Sequence, residues 1–254
     1  MLGRYVDKLS FNLFLFCLVV VSQAATANQI IKACAGDTPP YSFQNGNSVI
    51  GHSIDLIHEV ISEVNQASTQ AFKLTIDIMP WSRCLKSVKQ DLYDVAIDGL
   101  PRPQFLVSSL PTLDSKWHFV VPNDGKYQSY DDVKNTNEIS IGLANTTDPE
   151  YALRSSGAFK KDTKFNVVSV ANSSVLAKLI ERRRVEIVVM TKETYRFLQH
   201  EMPNTELIER TLGSVKLYYL FNEEQKATKA LFDQALEKLT AKGVVESIYN
   251  KPLN

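Results

Sequence analysis

The feature that most limits the fold is an alternation of short apolar strand segments with amphipathic helical segments, run through twice along the chain. The first run opens with an apolar strand from Ile30 to Ala33 and a loop, CAGDTPPYSF (Cys34 to Phe43), whose paired prolines exclude helix. From Ser53 to Gln66 the spacing of Ile54, Ile57, Ile61 and Val64 by threes and fours predicts a helix with one apolar face. A strand, Phe72 to Met79, stops at Pro80, and a helix starting at Trp81 or Ser82 turns Cys84, Leu85 and Val88 inward. Asp94 to Asp98 contains the unbroken apolar run Val95, Ala96, Ile97, which predicts a strand buried on both faces. Strands and helices in this order imply a parallel sheet with helices packed on its faces.

The rhythm breaks at a proline-containing link, Leu110 to Asp114, and resumes with a strand at Trp117 to Val121. Strands are then expected at Ile139 to Leu143, Phe165 to Val170 and Val185 to Met190, with helices near Pro149 to Ser155 and Ser174 to Arg183. Val215 to Phe221 reads as a last strand, and Thr228 to Lys242 as a helix ended by Gly243, which presents Leu231, Ala235, Leu236 and Leu239 on one side. The fold class is therefore α/β in two units. A length of 254 residues suits one large or two small domains, and 44% hydrophobic residues can fill their cores.

At the N-terminus, Arg4 and Lys8 precede an apolar run from Phe11 to Val21 and then Ala24, Ala25, Thr26 and Ala27, the order of a cleavable secretory signal. The run is shorter than the roughly 20 residues that cross a bilayer. A soluble, exported, periplasmic chain beginning at Asn28 is expected. Cys17 belongs to the discarded run and sits away from the cleavage site, which argues against a lipid anchor. The whole chain carries 28 basic and 28 acidic residues, and loss of Arg4, Lys8 and Asp7 leaves a net charge near −1. No basic stripe suits a nucleic acid; Arg182 to Arg184 reads as the solvated end of a helix.

Two cysteines, Cys34 and Cys84, then remain in an oxidising compartment, and a single disulfide is the leading reading. A metal centre is not expected, because His52, His58, His118 and His200 do not form a zinc-like cluster. No cofactor motif is present, and neither a G-x-S-x-G turn, an H-E-x-x-H helix nor a P-loop occurs.

Taken together, PPYSF (Pro39 to Phe43), GHSIDLIHEVISEV (Gly51 to Val64), PWSRCLKSV (Pro80 to Val88), YDVAIDG (Tyr93 to Gly99), Arg102, SSLP (Ser108 to Pro111) and the closing helices resemble the bacterial extracellular solute-binding family 3, the binding components of amino-acid ABC importers. The resemblance implies a type II periplasmic-binding-protein fold, two α/β lobes joined by crossing hinge strands near Trp117 and Tyr218. It puts residues 28–115 and 219–254 in the first lobe and residues 116–218 in the second. A monomer that closes on a small polar ligand and hands it to an inner-membrane permease is the function implied.

Several residues match the family's ligand-binding positions. Arg102 has the spacing of the arginine that grips a ligand carboxylate, a task suited to the two-pronged guanidinium. In IGLANTT (Ile141 to Thr147), Asn145, Thr146 and Thr147 resemble the strand-to-helix turn that meets the same carboxylate, although Thr146 replaces the usual glycine; Asn145 also opens an N-x-T sequon. Tyr41 matches the aromatic cover of the ligand. Trp81 and Arg83, beside Cys84, are candidates for a rigid wall of the cleft, against alternatives of core packing and solvent exposure. Asp98 closes a buried strand at its carboxyl end, where open α/β sheets place ligand groups. Thr191 stands where amino-acid binders carry the aspartate that holds the ammonium, and Gly99 where they carry a threonine. A neutral Thr191 beside Lys192 does not compensate a buried ammonium, so the resemblance does not extend to an ordinary α-amino acid. Two alternatives share this architecture: a sensory module for a membrane receptor, and a dehydratase-like enzyme using Asp98 or Glu193 as acid or base.

Overall fold

The computed structural model describes residues 29–144 and 164–251. The expected signal segment, the helix expected near Pro149 to Ser155, and Asn145, Thr146 and Thr147 lie outside the described residues.

The elements of the first lobe follow in order. Strand β1 (Gln29–Ala35) leads to a hairpin, β2 (Phe43–Asn45) and β3 (Ser48–Ile50), then helix α1 (His52–Ala67), β4 (Phe72–Ile78), α2 (Trp81–Lys89), β5 (Val95–Gly99) and β6 (Leu106–Val107). Strand β1 pairs in parallel with both β4 and β5, Ala33 opposite Ile76 on one side and opposite Val95 on the other. All five residues of β5 are buried, as its unbroken apolar run requires. Helix α1 lays Ile54, Ile57, Val60, Ile61 and Val64 on the sheet; each such side chain stabilises the fold by about 1.5–3 kcal/mol when fully buried.

Two long strands, β7 (Leu113–Pro122) and β12 (Gly213–Phe221), carry the chain between the lobes. They pair antiparallel from Leu113 opposite Leu217 to Trp117 opposite Gly213. Beyond that stretch β12 joins β5, Tyr218 facing Gly99, while β7 joins β10, Trp117 facing Thr191. The link expected at Leu110 to Asp114 is thus partly strand, because β12 supplies hydrogen-bond partners from Leu113 onward. One curled sheet of order β4-β1-β5-β12-β7-β10-β8-β9 therefore serves both lobes.

The second lobe contains a short helix α3 (Tyr130–Lys134), β8 (Glu138–Ala144), β9 (Lys164–Val170), α4 (Ser173–Glu181), β10 (Ile187–Thr191), α5 (Lys192–Leu198) and β11 (Thr205–Leu207). Helix α3 escapes periodicity because it is five residues long; Ser129 and Asp132 close a capping box at its start. After β12, α6 (Lys226–Ala241) and α7 (Val244–Tyr249) return to the first lobe, separated by the left-handed Gly243. Helix α6 buries Phe232, Ala235, Leu236 and Leu239 against the α1 side of the core. A separate core around Phe119, Ile139, Ile141 and Val189 fills the second lobe.

Cys34 and Cys84 form a disulfide with Cα atoms 5.6 Å apart. It ties the end of β1 to α2, and both sulfurs are fully buried beside Trp81 and Leu220.

Candidate ligand site between the lobes

The Tyr41 loop is fixed by the start of α1. Backbone amides of His52 and Ser53 donate to the carbonyls of Pro40 and Tyr41 at 3.1 and 2.9 Å. This close approach needs a glycine at position 51: its φ is 131°, and a Cβ there would lie 2.2 Å from the Tyr41 carbonyl oxygen. Tyr41 is in consequence held at the cleft, 4% exposed.

From that position it reaches the other lobe. The Tyr41 hydroxyl donates toward Thr191 Oγ1 at 3.0 Å and Glu193 Oε2 at 3.1 Å. Burial, reinforced by the Glu193 charge, holds its pKa well above the ordinary phenol value, so the hydroxyl stays a donor. Thr194 Oγ1 donates to the Pro39 carbonyl at 3.0 Å, and Asn172 Nδ2 to Asp37 Oδ2 at 2.9 Å. Phe43 and Phe197 meet edge to face at 5.2 Å. Thr191 caps α5 by accepting from the Thr194 amide.

Behind these bridges lies an inner cavity of about 20 Å³, enough for a water. Tyr41, Asp98, Trp117, Thr191 and Thr194 line it. Asp98 enters it through an irregularity of the sheet: between the pairs Tyr218 with Gly99 and Leu220 with Ala96, Ile97 and Asp98 together oppose the single residue Tyr219. Such a bulge re-aims a side chain, and Asp98 takes the left-handed φ of 61°. Both Ile97 and Asp98 consequently line the same cavity, where regular strand neighbours face opposite ways. Asp98 accepts from Ser53 Oγ and, at 2.7 Å, from Thr112 Oγ1. Burial nevertheless raises its pKa above the usual carboxylate value, against the opposing pull of those two hydrogen bonds.

A second, larger cavity of about 770 Å³ opens between Asp37, Met79, Trp81 and Arg102 of the first lobe and Ser169 and Asn172 of the second. Trp81 and Arg102 therefore share one space, whereas Tyr41, Asp98 and Thr191 share the inner one. Arg83 is exposed on α2 and lines neither cavity; two residues after Trp81, it falls about half a turn round the helix from it. Sequence reasoning left out Thr112, Trp117, Asn172 and Thr194 as site residues. For Thr194 a signal existed, since it stands three residues after Thr191, the relation of an N-cap to the amide it binds.

The model of the bacterial extracellular solute-binding proteins, family 3, matches residues 30–254. The chain belongs to this family. No curated protein matches it. Among solved structures, an ancestral arginine-binding protein bound to arginine is similar with a TM-score of 0.71 and 17% identity, over 89% of this chain and 99% of that one. The substrate-binding protein of an amino acid ABC transporter gives 0.69 and 17%, over 86% and 96%. The GluR0 ligand-binding core from Nostoc punctiforme, in complex with (L)-glutamate, gives 0.68 and 16%, over 87% and 97%. At these identities the likeness is one of fold, that of the type II periplasmic binding proteins. Among the described residues, no helix is long and apolar enough to cross a membrane.

Proposed function

We propose that this family 3 protein is a periplasmic binding component that captures a small polar ligand between its lobes by hinge closure and delivers it to an ABC importer. The observation that carries the reading is the set of hydrogen bonds spanning the cleft, from Tyr41 to Thr191 and Glu193 and from Thr194 to Pro39. Groups that meet one another directly when the lobes touch are available to a ligand when they part. A ligand that contacts both lobes favours the touching arrangement by its extra contacts.

The lobes are taken as residues 28–115 with 219–254, and 116–218. Their crossing strands β7 and β12 pair over only a short stretch, which supports a hinge there. The inner site is assigned to Tyr41, Asp98 and Thr191, and the outer one to Trp81 and Arg102. A carboxylate on the ligand is assigned to Arg102 and, by resemblance to the family, to Asn145, Thr146 and Thr147. This role is one of binding and includes no catalysis.

A thermal-shift screen of amino acids, organic acids and amines tests the reading, since a ligand that binds only the folded state raises its melting temperature. One or more compounds are expected to stabilise the oxidised protein. Absence of any stabilising compound across all three classes argues against a capture role.

A further inference from the structure

We infer that the inner cavity receives a small organic cation that also carries a hydrogen-bond acceptor, with Asp98 as its counter-charge. This rests on the cleft being the binding site, and it names the class of ligand.

Asp98 is the one charged residue lining that cavity among the described residues, and Arg102 faces the other space. A site built for an anion would not bury a carboxylate in its wall. The bulge that turns Asp98 inward has no counterpart on the lobe-2 side, where β10 and β7 pair in unbroken register from Val188 to Thr191. An ionised carboxylate offers about four lone-pair positions. Ser53 and Thr112 donate to two of them, and no described cation forms an ion pair with the group. In its ionised form the group is buried with no compensating charge among the described residues, the condition that a bound cation relieves.

The walls suit a cation in a second way. Tyr41 and Trp117 line the same cavity as Asp98, and aromatic faces attract ammonium groups, alkylated ones included. Trp117 is 6% exposed, and its indole Nε1 is buried without a hydrogen-bond partner among the described residues. A hydroxyl or carbonyl on the ligand would satisfy that donor. Thr191, on the facing lobe, supplies no charge to the cavity wall, so within the lining the negative group comes from Asp98 of the first lobe. Entry requires the Tyr41 hydroxyl to release Thr191 and Glu193, which widens the small cavity.

Calorimetric titration of the oxidised mature protein with choline, ethanolamine and tetramethylammonium tests this, with acetate and 3,3-dimethylbutan-1-ol as controls. The latter has the shape of choline with carbon in place of the charged nitrogen. At least one cation is expected to bind, and choline at least tenfold more tightly than its neutral counterpart. Asp98→Asn should reduce cation affinity at least tenfold. Because that change touches a buried network, Trp117→Phe provides a second variant, expected to weaken choline more than tetramethylammonium, which has no acceptor. Equal binding of choline and the neutral isostere overturns the inference, as does binding by none of the three cations. If carboxylates stabilise the protein while the cations do not, the cleft remains the binding site and only the cation is refuted. If no compound of any class binds, the capture role itself fails.

Discussion

Replacing Tyr41 by Phe removes one hydroxyl and leaves the ring, which keeps its tilted contact with Tyr249 at 6.3 Å. The hydroxyl proton serves Thr191 Oγ1 or Glu193 Oε2, one at a time. A hydrogen bond to a charged acceptor contributes about 1.5–3 kcal/mol and one to a neutral acceptor about 0.5–1.5. Glu193 is exposed and Thr191 retains its bonds to Thr194, so water and local partners recover part of the loss. A net cost of about 1–2 kcal/mol falls on the arrangement in which the lobes touch, a factor of roughly 5–30 in its population. Spin labels on the exposed positions Lys86 of α2 and Arg182 at the end of α4, each changed to Cys, report the interlobe distance by pulsed electron resonance. The ligand-free Tyr41→Phe protein should shift toward longer distances by that factor. Unchanged distance distributions would show that Tyr41 does not hold the lobes together.

Neither Cys34 nor Cys84 should react with a thiol probe in the oxidised protein, and Cys84→Ser should lower stability by about 4 kcal/mol for a separation of 50 residues; urea denaturation with and without reductant measures it. Arg102→Ala should weaken a carboxylate-bearing ligand at least tenfold, read by calorimetry, and wild-type affinity would remove Arg102 from the site. The folded protein holds the Asp98 proton to a higher pH than the unfolded chain does, because burial raises its pKa. The associated stability is fully present below the unfolded value, near 4, and is lost as pH rises through the folded one. Relative to Asp98→Asn, the urea midpoint of the wild type should therefore fall as pH rises from about 4.

The sheet-forming segments were legible because strands of a covered parallel sheet read as apolar runs. Ile30 to Ala33 grew only to Gln29–Ala35, and the helix expected over Ser53 to Gln66 became His52–Ala67. Elements held by long-range pairing left no local trace: β11 exists because Glu206 pairs with Val121, and β6 because Leu106 pairs with Phe221. At the candidate site, the carboxyl end of a buried strand pointed to Asp98, and the resemblance pointed to Tyr41 and Thr191. The bulge that turns Asp98 inward depends on the register of β12 more than 110 residues away, and no local pattern encodes it. For the same reason Trp117 was legible as a crossing-strand residue but not as a wall of the inner cavity. Arg83 is the converse case, a guanidinium adjacent to a cleft residue in sequence but directed to solvent by the helix that carries both.

The central claim, that the lobes close on a small ligand, is tested most directly by the interlobe distance of the spin-labelled mature protein, measured before and after each compound that raises its melting temperature. The account predicts that a stabilising compound collapses the distribution onto its shortest distance. Stabilisation with no change in that distribution would contradict it.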